Sequence, residues 1–131
     1  MKILAFAGSV RQDSFNKQLL GLVAEAIKKH GTEITVVDLK DFDMPMYDGD
    51  SEKAAGVPAK GSELKKLARA HDLLLIASPE YNGFFTPLLK NTIDWMSRAE
   101  GDEKPCEVFK DKPAAIISAS PGGYGGARSV G

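Results

Sequence analysis

Lys2-Ile3-Leu4-Ala5-Phe6-Ala7-Gly8-Ser9-Val10-Arg11-Gln12-Asp13-Ser14-Phe15-Asn16 opens the chain and decides its architecture. After Lys2 the first segment is apolar through Ala7, the pattern of a strand buried on both faces of a parallel sheet. Gly8 ends it. The turn that follows carries two hydroxyls, Ser9 and Ser14, the Arg11 guanidinium and the Asn16 amide. A helix is predicted over about 16–29, with Leu19, Leu20, Val23, Ala26 and Ile27 facing inward and Lys17, Glu25, Lys28 and Lys29 outward. Gly31 suits the position that stops it. Strand, turn and helix start bring unpaired backbone N–H groups, the positive end of the helix dipole and these donors toward one point. That makes an anion site, expected to hold a phosphate through Ser9, Arg11, Ser14 and Asn16. A capped surface turn with Arg11 in solvent would use the same residues.

Working outward, residues 33–39 are β-branched and predict a second strand. Residues 41–61, with Pro45, Tyr47, Asp48-Gly49-Asp50 and Pro58, are expected to form a long loop. A short amphipathic helix follows over 62–70, with Leu64, Leu67 and Ala68 on one face and a start that could reach back to Pro58. Residues 72–78 predict a third, fully buried strand. Thr86-Pro87 is an N-cap and N1 pair opening a helix to about residue 97, with Leu89, Ile93 and Met96 inward. A charged connector over 101–112 leads to a fourth strand over 113–118.

Strands alternating with helices predict an α/β fold with a parallel sheet. Right-handed crossovers leave two common orders, and the flavodoxin-like one puts its ligand crevice at the C-terminal ends of strands one and three. The expectation is a doubly wound sheet of order 2-1-3-4, in which the loops after strands one, three and four are neighbours. A fifth strand and its helix are expected to be missing, so residues 1–131 read as a single domain that is truncated at its C-terminal side or has its sheet completed by another chain. The fourth strand would then be an uncovered apolar edge, and one sheet face would be covered by the first helix alone.

Those two further loops could complete a site. Ser78-Pro79-Glu80-Tyr81-Asn82-Gly83-Phe84-Phe85 presents an aromatic, an amide and a glycine beside a buried strand, a setting that suits a planar heterocycle. Phe84 and Phe85 are core plugs or a lining for a flat ligand or partner. Ser118 to Gly126 places four glycines around Tyr124, which suits either close approach to a ligand or a flexible chain segment.

Composition narrows the alternatives. With 131 residues and a net charge of −1, the chain is one domain without a nucleic-acid footprint. No apolar run approaches a membrane span, and one cysteine, Cys106, fits a reducing, cytoplasmic setting. Glycine patterns for nucleoside triphosphates and for dinucleotides are both missing. His30 and His71 lack metal-binding neighbours, Asp48 and Asp50 make only half of a calcium loop, and Asp94-Trp95 suits helix packing or a subunit contact.

Three segments together resemble the NADPH-dependent FMN reductase family, the flavodoxin-like group of quinone, azo and chromate reductases. They are Gly8-Ser9-x-Arg11-x2-Ser14-x-Asn16, then Pro79-Glu80-Tyr81-Asn82-Gly83 with Leu89-Lys90-Asn91-x2-Asp94-Trp95, then Ser120-Pro121-Gly122-Gly123-Tyr124-Gly125-Gly126-Ala127-Arg128. The resemblance implies that Ser9, Arg11, Ser14 and Asn16 hold the phosphate of FMN. It implies that Pro79, Glu80, Tyr81, Asn82 and Gly83 line the isoalloxazine ring, while Ser120, Gly122 and Gly123 close its other edge. The role of Arg128 stays open, near the cofactor mouth or a subunit contact. The implied activity is hydride transfer from NADPH or NADH through FMN to a quinone, azo, metal-oxyanion or flavin acceptor, with no catalytic acid or base named. A homodimer or homotetramer is expected. The alternative is a flavodoxin-type FMN electron carrier that docks to protein partners; its expected strong acidity is not met by a charge of −1.

Overall fold

The computed structural model describes residues 1–129. Among them four parallel strands, β1 (Lys2–Ala7), β2 (Glu33–Val37), β3 (Leu73–Ala77) and β4 (Ala114–Ile117), form one sheet in the order β2-β1-β3-β4. This is the expected doubly wound order. Because β1 and β3 are the inner strands, each needs apolar residues on both faces, and the two-residue side-chain period divides the core. Leu4, Phe6, Leu74 and Ile76 turn to one side, against Leu39, Phe42, Leu64, Leu89 and Met96. Ile3, Ala5, Ala7, Leu75 and Ala77 turn to the other, against Leu20, Ala24 and Ile34.

The described residues include four α-helices, α1 (Phe15–Lys29), α2 (Gly49–Ala55), α3 (Ala59–Arg69) and α4 (Pro87–Met96). Among the described residues α1 supplies the helical packing on the second face, while α3 and α4 pack on the first. Ser14 caps α1, its Oγ accepting from Lys17 N at 3.5 Å. The buried stripe of α1 is Leu20 and Ala24. Ala26, expected inward, is exposed, and Leu19, Val23 and Ile27 are half-buried, because the helix is rotated to put residues 20 and 24 over β1.

Two further expectations are corrected. β2 stops at Val37 instead of running to 39, because the Asp38 carboxylate accepts from Lys40 N at 3.0 Å and starts a 3₁₀ turn over Leu39–Phe42 that buries Leu39 and Phe42. Residues 41–61 are not a continuous loop. Asp48 accepts from the amides of Asp50 and Ser51 at 3.2 and 3.1 Å and so caps α2, and α3 already begins at Ala59. The apparent half calcium loop is therefore a helix cap.

The rest of the chain is tied down by long-range polar contacts. Asn91 and Trp95 of α4 both donate to the Pro45 carbonyl, at 2.9 and 2.8 Å, so Trp95 belongs to internal packing, and Asp94 pairs with Lys90. His71 is buried between the Leu67 carbonyl and the Thr35 hydroxyl, a strut between α3 and β2. Lys65, 1% exposed, donates to Glu100, Glu103 and the Arg98 carbonyl at 2.6, 2.8 and 2.7 Å. Burial works to raise the Glu100 carboxyl, but the bonds from Lys65 and Ser62 hold it below its ordinary value. β4 has β3 on one side and no partner on the other among the described residues, and Ile116 is exposed.

Candidate functional site

The segments leaving β1, β3 and β4 line one open crevice: Ser9, Arg11, Ser14, Phe15 and Asn16, then Pro79, Glu80 and Tyr81, then Ala119, Ser120 and Pro121. Strand order alone brings them together, since β1, β3 and β4 are consecutive in the sheet.

Gly8 begins the first segment by donating to the Ala77 carbonyl at 2.9 Å. Its own carbonyl receives the buried Thr86 hydroxyl at 2.7 Å. A Cβ at Gly8 would lie 2.9 Å from Thr86 Oγ1 and 3.2 Å from Leu89 Cβ, so the close approach of β1 and α4 requires glycine here. Ser9 Oγ accepts from Arg11 N at 3.3 Å, and Ser14 Oγ accepts from Lys17 N. Neither hydroxyl donates to a described residue, so both O–H groups are available. The amides of Phe15 and Asn16 in the first turn of α1 are likewise unpaired among the described residues. Arg11 is exposed, sits over the Phe15 ring at 5.7 Å, and has no carboxylate at ion-pair distance among the described residues.

Asn16 is 3% exposed and differs from the other three. Its Nδ2 donates to the Ala119 carbonyl at 2.9 Å, and its Oδ1 accepts from Ala119 N at 3.0 Å.

In the second segment Tyr81 and Phe84 exchange backbone bonds of 2.9 and 3.1 Å around Asn82 and Gly83, both in the left-handed region at φ 54° and 80°. This is the two-residue hairpin turn that Asn-Gly favours. Asn82 and Gly83 are at its tip and do not line the crevice. Phe85 packs on the core, one of the roles expected of the pair, while Phe84 is exposed. The Glu80 carboxylate receives Arg128 Nε at 2.9 Å, Nη2, and Arg128 N at 3.2 Å. The Arg128 guanidinium also lies 5.1 Å from the centre of the exposed Tyr124 ring.

The third segment joins the second through Ser118, whose hydroxyl donates to the Ser78 carbonyl at 2.7 Å. Gly126, at φ 85°, packs directly on the Ser118 side chain, leaving no room for a Cβ. Ser120 faces the crevice and its Oγ accepts from Gly122 N at 3.1 Å, while Gly122 and Gly123 are exposed beside it. Sequence reasoning missed the tertiary bond of Thr86 and the part played by Ala119. Thr86-Pro87 signals a cap, but nothing local signals its bond to Gly8.

This donor set suits a phosphate monoester. Among the described residues it offers two hydroxyl hydrogens without an acceptor, a helix N-terminus and a guanidinium without a carboxylate partner, and the one carboxylate lining the crevice, Glu80, is neutralised by Arg128. Fold and crevice together define a flavodoxin-like α/β protein. The chain belongs to the NADPH-dependent FMN reductase family, whose model matches residues 1–131. It is 39% identical over 131 residues to an NAD(P)H:quinone oxidoreductase of Solanum tuberosum, covering 98% of this chain and 63% of that one. It is 38% identical over 133 residues to an NAD(P)H-dependent FMN reductase of Pseudomonas aeruginosa, covering 98% and 65%. FerB of Paracoccus denitrificans, a flavoenzyme NAD(P)H:(acceptor) oxidoreductase, matches with a TM-score of 0.80 at 31% identity, covering 98% of this chain and 65% of FerB. The chain spans less than two thirds of the length of these relatives.

Proposed function

We propose that residues 1–131 form an FMN-binding domain of an NAD(P)H-dependent oxidoreductase. FMN held there would supply two-electron chemistry between NADPH or NADH and a small acceptor such as a quinone, azo compound, metal oxyanion or free flavin. The observation that carries the reading is the meeting, in one crevice, of Arg11 and two hydroxyls that donate to no described residue, with the start of α1. In this reading Ser9, Arg11, Ser14 and the backbone N–H groups in the first turn of α1 bind the phosphate, and the Asn16 side chain borders them. Pro79, Glu80 and Tyr81, with the Asn82-Gly83 turn beyond them, border the isoalloxazine ring. Ser120, Gly122 and Gly123 close its opposite edge. The chain's work is to bind and orient, and no acid or base is assigned a proton step.

The names of the matching relatives favour an oxidoreductase over a flavodoxin-type carrier. Among the described residues no helix is long and apolar enough to cross a membrane, which is compatible with the cytoplasmic location proposed here. A homodimer or homotetramer is proposed on the exposed apolar residues Phe15, Leu22 and Ile116. The test is the visible spectrum of the purified chain before and after adding FMN, followed by initial rates at varied NADPH and quinone. A bound-flavin band and parallel reciprocal plots support the reading. A chain that takes up no FMN, or intersecting plots, would overturn it.

A further inference from the structure

The four donors at the anion turn do not stand in equivalent environments. Ser9, Ser14 and Arg11 make no side-chain donation to a described residue, whereas Asn16 has both ends of its amide engaged by one residue, with one Nδ2 hydrogen left over. That residue is Ala119, 103 positions away, in the segment leaving β4. A side-chain amide pairing reciprocally with a backbone N–H and C=O acts like one rung of a β-ladder. It fixes the position and the orientation of the peptide it grips. Asn16 is also the second residue of α1, so whatever it holds is held relative to the helix N-terminus. Ala119 lies immediately before Ser120, and Ser118 on its other side is bonded to the Ser78 carbonyl of the β3 segment.

From this geometry we infer that Asn16 is a positioning residue that locks the segment after β4 onto the phosphate turn, and is not itself a phosphate ligand. The inference rests on the flavin reading above. On it, Asn16 sets the spacing between the phosphate end of the crevice and its ring edge at Ser120. Loss of Asn16 then disturbs ring binding as well as phosphate binding, although the residue sits at the phosphate end. A true phosphate ligand has the opposite signature, affecting FMN and leaving riboflavin, which lacks the phosphate, untouched.

The experiment compares FMN and riboflavin binding to the flavin-free chain by quenching of flavin fluorescence, in wild type, Ser9→Ala and Asn16→Ala. Ser9→Ala is expected to weaken FMN and spare riboflavin. Asn16→Ala is expected to weaken both, each by about tenfold, as loss of two partly buried hydrogen bonds implies. A second measurement needs no variant. In wild type the Ala119 amide is expected to stay protected from hydrogen exchange both without ligand and with FMN bound, because the Asn16 pair persists. An Asn16→Ala variant that loses FMN alone, or deprotection of Ala119 when FMN binds, would overturn the inference. Failure of wild type to bind either flavin would instead bring down the flavin reading on which it rests.

Discussion

Thr86 offers the sharpest test of how the crevice is held. Its hydroxyl donates to the Gly8 carbonyl at 2.7 Å and accepts from Leu89 N at 3.2 Å, and the residue is 1% exposed. Thr86→Val keeps the shape and removes both bonds. Loss of the cap costs about 1 kcal/mol. Leaving the Gly8 carbonyl buried without a donor costs about 1–3 kcal/mol more. Together the expected destabilisation is about 2–4 kcal/mol, or roughly 3–5 °C in Tm for each kcal/mol at this size. Thr86→Ser keeps the hydroxyl and loses one buried methyl, for about 1 kcal/mol. Urea unfolding of the two variants and wild type gives the comparison directly. Since Gly8 begins the turn proposed to hold the phosphate, Thr86→Val is also expected to bind FMN more weakly than Thr86→Ser does. Equal stability of the two variants, within about 0.5 kcal/mol, would refute the assignment of this hydroxyl as the tie between α4 and the turn.

Other expectations follow from the same contacts. Arg11→Ala should weaken FMN by about 10- to 100-fold, the worth of charge-assisted bonds, with riboflavin binding unchanged and stability within about 0.5 kcal/mol of wild type; isothermal titration and thermal melts check both. Arg128→Ala leaves the nearly buried Glu80 carboxylate without its partner, and should raise the rate of limited proteolysis within residues 119–128 more than Glu80→Gln does. Lys65→Met should destabilise the chain by about 2–3 kcal/mol at neutral pH, less than a fully buried pair would cost because Glu100 and Glu103 are partly exposed. The sign of the pH effect follows from Glu100. Its folded-state value is lowered, so its contribution is complete above its unfolded value of 4.5 and disappears as pH falls through the lower folded value. The gap between wild type and Lys65→Met in urea unfolding should therefore narrow at the acid end, and a gap that widened there would contradict the ion-pair account.

What the sequence determined by itself was local. Unbroken apolar runs marked β1 and β3 because both faces of an inner parallel strand must be buried, and Thr86 and Gly31 marked helix ends because caps act within a few residues, whereas the cap made by Ser14 emerged only in the fold. From those elements the sheet order follows, and with it the convergence of three loops. The tertiary structure decided the partners. The Asn16–Ala119 pair, the Thr86–Gly8 bond, the Glu80–Arg128 clasp and the burial of Lys65 join positions 33 to 103 residues apart. Such bonds leave no periodicity in the chain, because a hydrogen bond depends on where two groups meet in space and not on what lies beside either of them. The same limit explains Ala26 and α2. A helical stripe fixes which residues share a face, but only packing against β1 selects the rotation, and Asp48 becomes a cap only when the chain around it turns. The polar side chains of the turn after β1 could thus be picked out from sequence, while the pairing of Asn16 with Ala119, which sets it apart from Ser9, Arg11 and Ser14, is a product of the fold.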